Sequence, residues 1–193
     1  MTKLPVLLLA AVALAVAGCG GDDETAADEQ PAASSAEVPF DRAFIDAMVP
    51  HHEAAIEMAG EAKQAGLAAP ELVKIADDII ATQQDEIDRM LAWREQWFGS
   101  REREPAAAAL EVLGLSAAEA GMEHGGIDFA TVDEVDHTFA GMMIGHHTGA
   151  IRMAELATQR AGHDEIKTLA ADIIAAQQRE IDTLEAFFEG GHG

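Results

Sequence analysis

The chain has 193 residues, of which 35 are acidic and 12 are basic, so its formal net charge at pH 7 is −23. This charge argues against unassisted binding to nucleic acid or anionic lipid, because both are polyanions. The single cysteine excludes an internal disulfide framework and every cysteine-rich zinc site. Eight methionines and eight histidines stand out in a chain that is 49% apolar and only 5% aromatic.

The N-terminal segment predicts export and membrane attachment. Residues 1–18 hold Lys3 and then an almost unbroken apolar stretch, which is too short to span a membrane and is typical of a signal peptide. The sequence VAGC at 16–19 resembles the lipobox of bacterial lipoproteins. That resemblance implies cleavage before Cys19 and a lipid on this cysteine, which would attach the protein to the membrane. The alternative is an ordinary secretory signal, and both interpretations place the mature protein outside the cytoplasm.

The mature chain divides into a tether and one domain. Residues 19–38 contain six acidic residues among Ala, Ser and Pro, which predicts a disordered acidic tether. The domain covers residues 39–190 and contains a duplication. Residues 41–59 align with 136–154 at nine identical positions of nineteen, and residues 78–88 align with 172–182 at nine of eleven. We therefore expect two copies of one supersecondary unit, at about 40–98 and 134–188, joined by a linker at 99–133.

Each copy has the pattern of a helical hairpin. In the first copy, apolar residues and a histidine recur at spacings of four, three, four and three, namely Phe44, Met48, His51, Ala55 and Met58. No segment alternates with a period of two, so no strand is expected. The predicted helices cover 41–66, 70–98, 134–161 and 163–188, with a short helix at 106–113. The expected fold is all-α, an antiparallel four-helix bundle built from two duplicated hairpins.

The same motif of two methionines around a histidine pair occurs in both copies. At about 100° per residue, its members fall within one arc of the helix, and Phe44 and Ala55 place that arc toward the interior. Two such helices facing each other would bring imidazoles and thioethers into one region. The candidate metal ligands are Met48, His51, His52, Met58, Met143, His146, His147 and Met153.

These residue types favour copper over other metals. Thioether sulfur is neutral and soft and mainly attracts Cu(I), whereas imidazole accepts both Cu(I) and Cu(II). Zinc is disfavoured because methionine rarely binds it and the domain has no cysteine. Methionines on a helix stripe are also common as core filler, and inward histidines are often structural. A histidine pair on a core-facing stripe is nevertheless costly unless its nitrogens are satisfied, which favours metal binding.

Several further residues carry weaker predictions. Possible auxiliary ligands are Met142, His137, Met122 and His124. Gln84 and Gln178 fall on the apolar stripes, where they would either orient the histidines or bond to each other across the bundle. Asp41 and Asp136 open the first helix of each copy and are predicted N-caps. His163, between the last two helices, is expected at the surface.

The helices that carry the histidine pairs contain Pro50 in the first copy and Gly145 at the matching position in the second. Proline kinks a helix and glycine weakens it. The result is either a pliable segment that adjusts the histidines to a metal or a bend that follows the core.

The repeated motif resembles the signature of a known bacterial family. The pattern Phe-x3-Met-x2-His-His-x2-Ala-Ile-x-Met-Ala, at 44–59 and 139–154, is similar to that of the domain of unknown function 305 family. The resemblance covers residues 39–188. It implies a secreted, ferritin-like four-helix bundle that handles copper through the eight histidines and methionines of the motif. The second copy departs from the first at Gly145 and at Thr148-Gly149, which puts strict equivalence of the two sites in doubt.

Three functions follow from these observations. The favoured hypothesis is a lipid-anchored copper-binding protein that sequesters, buffers or transfers the ion without catalysing a reaction. A ferritin-like dinuclear metal oxidase is the first alternative and would use Glu57, Glu134, His137 and the paired histidines. The mismatch between Glu57 and Arg152 at matching positions counts against it. The second alternative is a module that binds a partner helix through its methionine-rich faces.

Overall fold

The structure, a computed structural model, describes residues 38–123 and 127–189. Within these ranges all regular secondary structure is helical, which confirms the all-α class. The five α-helices are α1 (Val38–Ala65), α2 (Pro70–Phe98), α3 (Ala106–Leu113), α4 (Val135–Arg160) and α5 (Asp164–Glu189). A 3-10 turn, Phe129–Thr131, precedes α4. Each predicted helix boundary lies within three residues of the observed one.

The helix ends follow local backbone chemistry. α1 ends before Gly66, whose φ of 105° lies in the region that glycine tolerates, and Leu67 donates its N–H to the carbonyl of Ala62. Pro70 then occupies the first turn of α2, where its missing N–H would have no partner in the helix. α2 ends at Gly99, which has a φ of 79° and donates its N–H to the Glu95 carbonyl. Short connections therefore join α1 to α2 and α4 to α5.

α1 is the central element of the packing. It contacts α2, α3 and α4, whereas α4 packs mainly on α5, and α2 and α5 touch each other only slightly. The buried apolar residues form two clusters. The first includes Phe44, Met48, Met90 and residues of α3 and α5, and the second includes Met58, Phe139 and residues of α2. The slight contact between α2 and α5 leaves a cavity between them, described below.

Along residues 38–123 and 127–189, no helix has the length and apolar character needed to cross a membrane. The predicted signal peptide, the lipidation site Cys19 and residues 19–37 of the predicted acidic tether lie outside the described residues, whereas Val38, the last tether residue, begins α1.

Candidate metal centre

The two histidine pairs lie at the contact between α1 and α4. His51, His52, His146 and His147 are all at most 1% exposed. The His51 and His146 rings, one from each copy of the repeat, lie with their centroids 3.7 Å apart and their planes 41° apart. The helical stripe thus turns both pairs inward, as the spacing predicts, and brings imidazoles from the two copies into contact.

The second histidine of each pair bonds to a glutamate on the neighbouring helix. His52 Nε2 lies 2.8 Å from Glu86 Oε2 on α2, and His147 Nε2 lies 2.6 Å from Glu180 Oε2 on α5. A carboxylate accepts, so Nε2 donates, and a neutral ring then has its lone pair on Nδ1. In both rings Nδ1 is buried and has no hydrogen-bond partner. A carboxylate on one ring nitrogen and a lone pair on the other is the arrangement typical of metal-binding histidines.

The four methionines of the motif divide between the two core clusters. Met48 and Met153 belong to the first cluster, and Met58 and Met143 belong to the second. Each cluster therefore receives one thioether from each copy, and all four side chains are buried. Both halves of the domain therefore contribute a histidine pair and two buried methionines, and the methionines are divided between the two clusters.

The auxiliary candidates lie in different surroundings. Met142 packs against the second cluster and lines a surface cavity with Met58, and Met122 packs against the first cluster. His137 makes edge-on contacts with Phe187 and Phe188, at centroid distances of 5.1 and 5.3 Å. His124 lies outside the described residues.

The carboxylates of the oxidase alternative, Glu57 and Glu134, are exposed. Among residues 38–123 and 127–189 there is no group of three or more His, Cys, Asp or Glu side chains arranged to hold a metal ion.

The prediction for the glutamines is wrong by one residue. Gln84 and Gln178 are exposed and donate to Asp88 and Asp182, one helical turn later. The buried glutamines are their neighbours, Gln83 and Gln177, each 3% exposed. Ile75, Ile79, Gln83 and Ile87 recur at a spacing of four and form the buried stripe of α2, which packing selects over the neighbouring stripe through Ile80 and Gln84.

The prediction that Asp41 and Asp136 are N-caps is also wrong, because each holds a turn in the other half. Asp41 accepts from the backbone N–H groups of Gly162 and His163, both at 2.9 Å, and from His163 Nδ1 at 2.5 Å. Asp136 accepts from the N–H groups of Ala68 and Ala69, at 2.8 and 2.9 Å.

The prediction that His163 lies at the surface is therefore wrong, because its side chain is partly buried and bonded to Asp41. Its ring also stacks on Trp97 at a centroid distance of 3.8 Å.

A buried ion pair in the first half was missed by the sequence analysis. Asp46 is 1% exposed and Arg94 is 4% exposed. Arg94 donates from Nε at 2.5 Å and from a terminal nitrogen at 3.2 Å to the two carboxylate oxygens. Arg94 also donates to the Ser100 carbonyl, and Asp46 accepts from the N–H of Glu104. The pair thus fixes the start of the linker against α1, next to Pro50.

The end of the linker lies directly on α4. A Cβ built on Gly149 would lie 2.2 Å from the carbonyl carbon and oxygen of Ala120, so only glycine fits there. A Cβ built on Gly121, whose φ is 65°, would lie 2.9 Å from the carbonyl oxygen of Gly145. Ser116 and Glu119 cap the turn before it, and the hydrogen bonds from Ser116 lower the pKa of the Glu119 carboxyl. The Thr148-Gly149 departure therefore lets the linker approach α4 beside His146.

Comparison with known families gives a match over most of the chain. The profile of the domain of unknown function DUF305 matches residues 20–94 and, overlapping with them, residues 41–188. A search among curated proteins found no significant match.

Comparison with solved structures finds CopM in several metal-bound forms. The Ag-bound form obtained by soaking is 34% identical over 79% of this chain and 98% of CopM, with a TM-score of 0.63. The Cu(I)-bound form is 33% identical with the same coverage and TM-score. A DUF305 protein of Streptomyces coelicolor, described as secreted, is 24% identical over 75% of this chain and 89% of its own, with a TM-score of 0.63. This last similarity concerns the fold alone.

Proposed function

We propose, on the premise that this chain belongs to the DUF305 family, that it is an extracytoplasmic protein that binds copper and sequesters, buffers or transfers it. The observation that carries the proposal is the buried contact at 3.7 Å between His51 and His146, which brings imidazoles from both copies of the repeat together. The similarity to CopM, whose solved structures include Cu(I)-bound, Cu(II)-bound and Ag-bound forms, supports the choice of metal.

The proposed ligands are the eight histidines and methionines of the repeated motif. The Nδ1 atoms of His52 and His147 are buried without a hydrogen-bond partner, and a bound cation would satisfy them. Glu86 and Glu180 would fix the tautomer of these rings and raise their basicity. The thioethers favour Cu(I), and the imidazoles retain affinity for Cu(II). We infer that the duplicated hairpins of a four-helix bundle hold these donors in a twofold arrangement.

The proposed mechanism is binding without turnover. The net charge of −23 would concentrate cations near the surface by long-range attraction, and the softer interior would then retain copper. The signal peptide and the lipid on Cys19 would attach the protein to the outer face of the membrane, with residues 20–38 as a tether. Analysis of metal content and oxygen consumption distinguishes this proposal from a dinuclear oxidase, which would hold two irons and consume oxygen.

The main test is a copper titration of the purified protein under reducing conditions, against a Cu(I) chelator of micromolar affinity. We expect the protein to take copper from the chelator. Replacing His51, His52, His146 and His147 together by Gln should abolish this while far-UV helicity is largely retained. The matched control is His137→Gln, which removes an imidazole outside the α1–α4 contact and should leave binding unchanged. Failure of the unmodified protein to compete for Cu(I) would overturn the proposal.

A second test concerns the glutamates that orient the histidines. Glu86→Gln and Glu180→Gln should each weaken copper affinity by about 10- to 100-fold, because the ring loses its charged partner. The control Glu57→Gln removes an exposed carboxylate of α1 and should have little effect. Equal affinity in all three variants would show that the glutamates play no part in metal binding.

A further inference from the structure

A cavity of about 350 Å³ opens between α2 and α5, and its lining includes the two glutamates that bond His52 and His147. Its lining repeats the twofold pattern of the domain: Gln83 and Glu86 come from α2, and Gln177 and Glu180 come from α5. Within each helix the glutamine and the glutamate are three residues apart and so share a face. The copper proposal uses the glutamates only as partners of histidines and gives the glutamines no role.

The two glutamines have unsatisfied oxygens. Gln83 and Gln177 are each 3% exposed, and the buried Oε1 atom of each has no hydrogen-bond partner. A buried amide oxygen without a donor is destabilising, and native proteins rarely keep one without a reason. The exposed neighbours Gln84 and Gln178, by contrast, bond within their own helices. The same buried amide oxygen therefore recurs as an available acceptor in both copies, which a water or a cation would satisfy.

The glutamates supply charge beside these amides. Glu86 and Glu180 are 13% and 17% exposed, and each uses Oε2 for its histidine. The second oxygen of each carboxylate has lone pairs for another ligand. Asp172 adds a third carboxylate to the lining, and the exposed Arg179 adds one positive charge. The lining therefore carries a net negative charge.

We propose that this cavity binds a hard divalent cation through oxygen ligands: the amide oxygens of Gln83 and Gln177 and the carboxylates of Glu86 and Glu180. Carboxylate and amide oxygens are the ligands that Ca²⁺, Mg²⁺ and Mn²⁺ prefer, and the opening to solvent lets water complete the coordination. A cation here would satisfy both unpartnered amides at once. The site is separate in chemistry from the thioethers of the copper proposal, because soft ligands do not favour these ions.

The test uses Mn²⁺ as the probe, followed by electron paramagnetic resonance on the purified full-length protein. A salt concentration of about 0.15 M screens weak binding to the acidic surface. We expect saturable binding of one Mn²⁺, displaced by Ca²⁺. The variant Gln83→Leu/Gln177→Leu should lose at least about tenfold in Mn²⁺ affinity, since two of the oxygen ligands are removed. The control Gln84→Leu/Gln178→Leu changes the adjacent, exposed glutamines and should bind Mn²⁺ as the unmodified protein does.

Two further measurements keep the test decisive. Bound Mn²⁺ should broaden the ring signals of His52 and His147 before those of His137 and His163, because only the first two contact the proposed carboxylate ligands. Titration with Ag⁺ should give the same affinity in both double variants, so that loss of the oxygen site is distinguished from loss of the soft-metal site. Equal Mn²⁺ affinity in the Gln83/Gln177 variant and its control, or uniform broadening of all histidines, would overturn the proposal.

Discussion

In the first half of the domain, Asp46 and Arg94 form a buried ion pair, whereas the matching positions in the second half hold Gly141 and Phe188. A Cβ on Gly141 would lie 3.8 Å from the tip of the Phe188 ring, which is an ordinary packing distance. The same place in the fold holds a buried ion pair in one half and a partly exposed aromatic ring beside a glycine in the other. The ion pair lies where the linker leaves α2, and its two side chains hold the linker backbone by hydrogen bonds.

The residues around the candidate centre, in contrast, are the same in both halves. Both halves keep the histidine pair, the two flanking methionines and the glutamate that bonds the second histidine, His52 with Glu86 and His147 with Glu180. The halves differ again where the linker meets them, because charged contacts hold it in the first half and Gly149 admits its backbone in the second. Divergence is therefore concentrated at the linker, and the interior of the α1–α4 contact is repeated.

The largest effect is expected from breaking the ion pair. Arg94→Leu leaves the Asp46 carboxylate buried without its guanidinium, so we expect a loss of about 3–5 kcal/mol in the free energy of unfolding, measured with urea. The control Arg103→Leu removes the partly exposed pair with Glu53 and should cost less than about 1 kcal/mol.

The double variant Asp46→Gly/Arg94→Phe places the residues of the second half, Gly141 and Phe188, at the matching positions of the first half. It should recover more than half of the stability lost in Arg94→Leu, because no unpaired charge remains. A double variant as unstable as the single one would show that the two halves are not interchangeable at this place.

The next effect tests the contact between the linker and α4. Gly149→Ala places a Cβ on the backbone of Ala120 and should destabilise the protein by about 2–3 kcal/mol, because neither backbone can move freely. The matching exchange in the first half, Ala54→Gly, should cost only about 1 kcal/mol through lower helix propensity. Calorimetric melting of both variants makes the comparison, and an unchanged Tm for Gly149→Ala would contradict the close approach.

The carboxylates that cross between the halves should differ in strength. Asp41 is fully buried and accepts three hydrogen bonds, whereas Asp136 is only half-buried and accepts two. We expect losses of about 2 kcal/mol for Asp41→Ala and about 1 kcal/mol for Asp136→Ala, measured by urea unfolding. The reverse order would contradict this difference in burial.

The smallest effect is a gain. Gly145 is exposed within α4, and a Cβ there would meet nothing within 4 Å. Gly145→Ala should therefore stabilise the protein by about 0.5–1 kcal/mol, visible as a higher Tm. A lower Tm would show that the second half needs the conformational freedom of glycine where the first half has Pro50.

The periodic features of the fold were predictable from the sequence because they are local. The helix ends follow from the backbone preferences of Gly66 and Pro70, and the inward position of the histidine pairs follows from their spacing. The glutamines show the limit of this reasoning. Isoleucine and glutamine both occur in adjacent pairs in α2, at 79–80 and 83–84, so two stripes one residue apart fit equally well. Only packing against the neighbouring helices selects Gln83.

The remaining contacts have no local signal. Asp46 and Arg94 are 48 residues apart, and Asp41 is 121 residues from Gly162. An aspartate in the first turn of a helix is also a common cap, so the sequence favoured the wrong partner for Asp41. The glutamate partners of the histidines depend in the same way on the packing of α1 against α2 and of α4 against α5. Such contacts require the three-dimensional arrangement.

Asp41 of the first half bonds the turn between α4 and α5, and Asp136 of the second half bonds the turn between α1 and α2. This reciprocal arrangement bears on how the duplicated chain arose. Residue i of one half contacts residue j of the other, and j contacts i in return, which is the rule of an isologous dimer. A chain with a single copy of the repeat could make the same two contacts with a second molecule. The linker at 99–133 then changes an association that depends on protein concentration into one that occurs within a single chain.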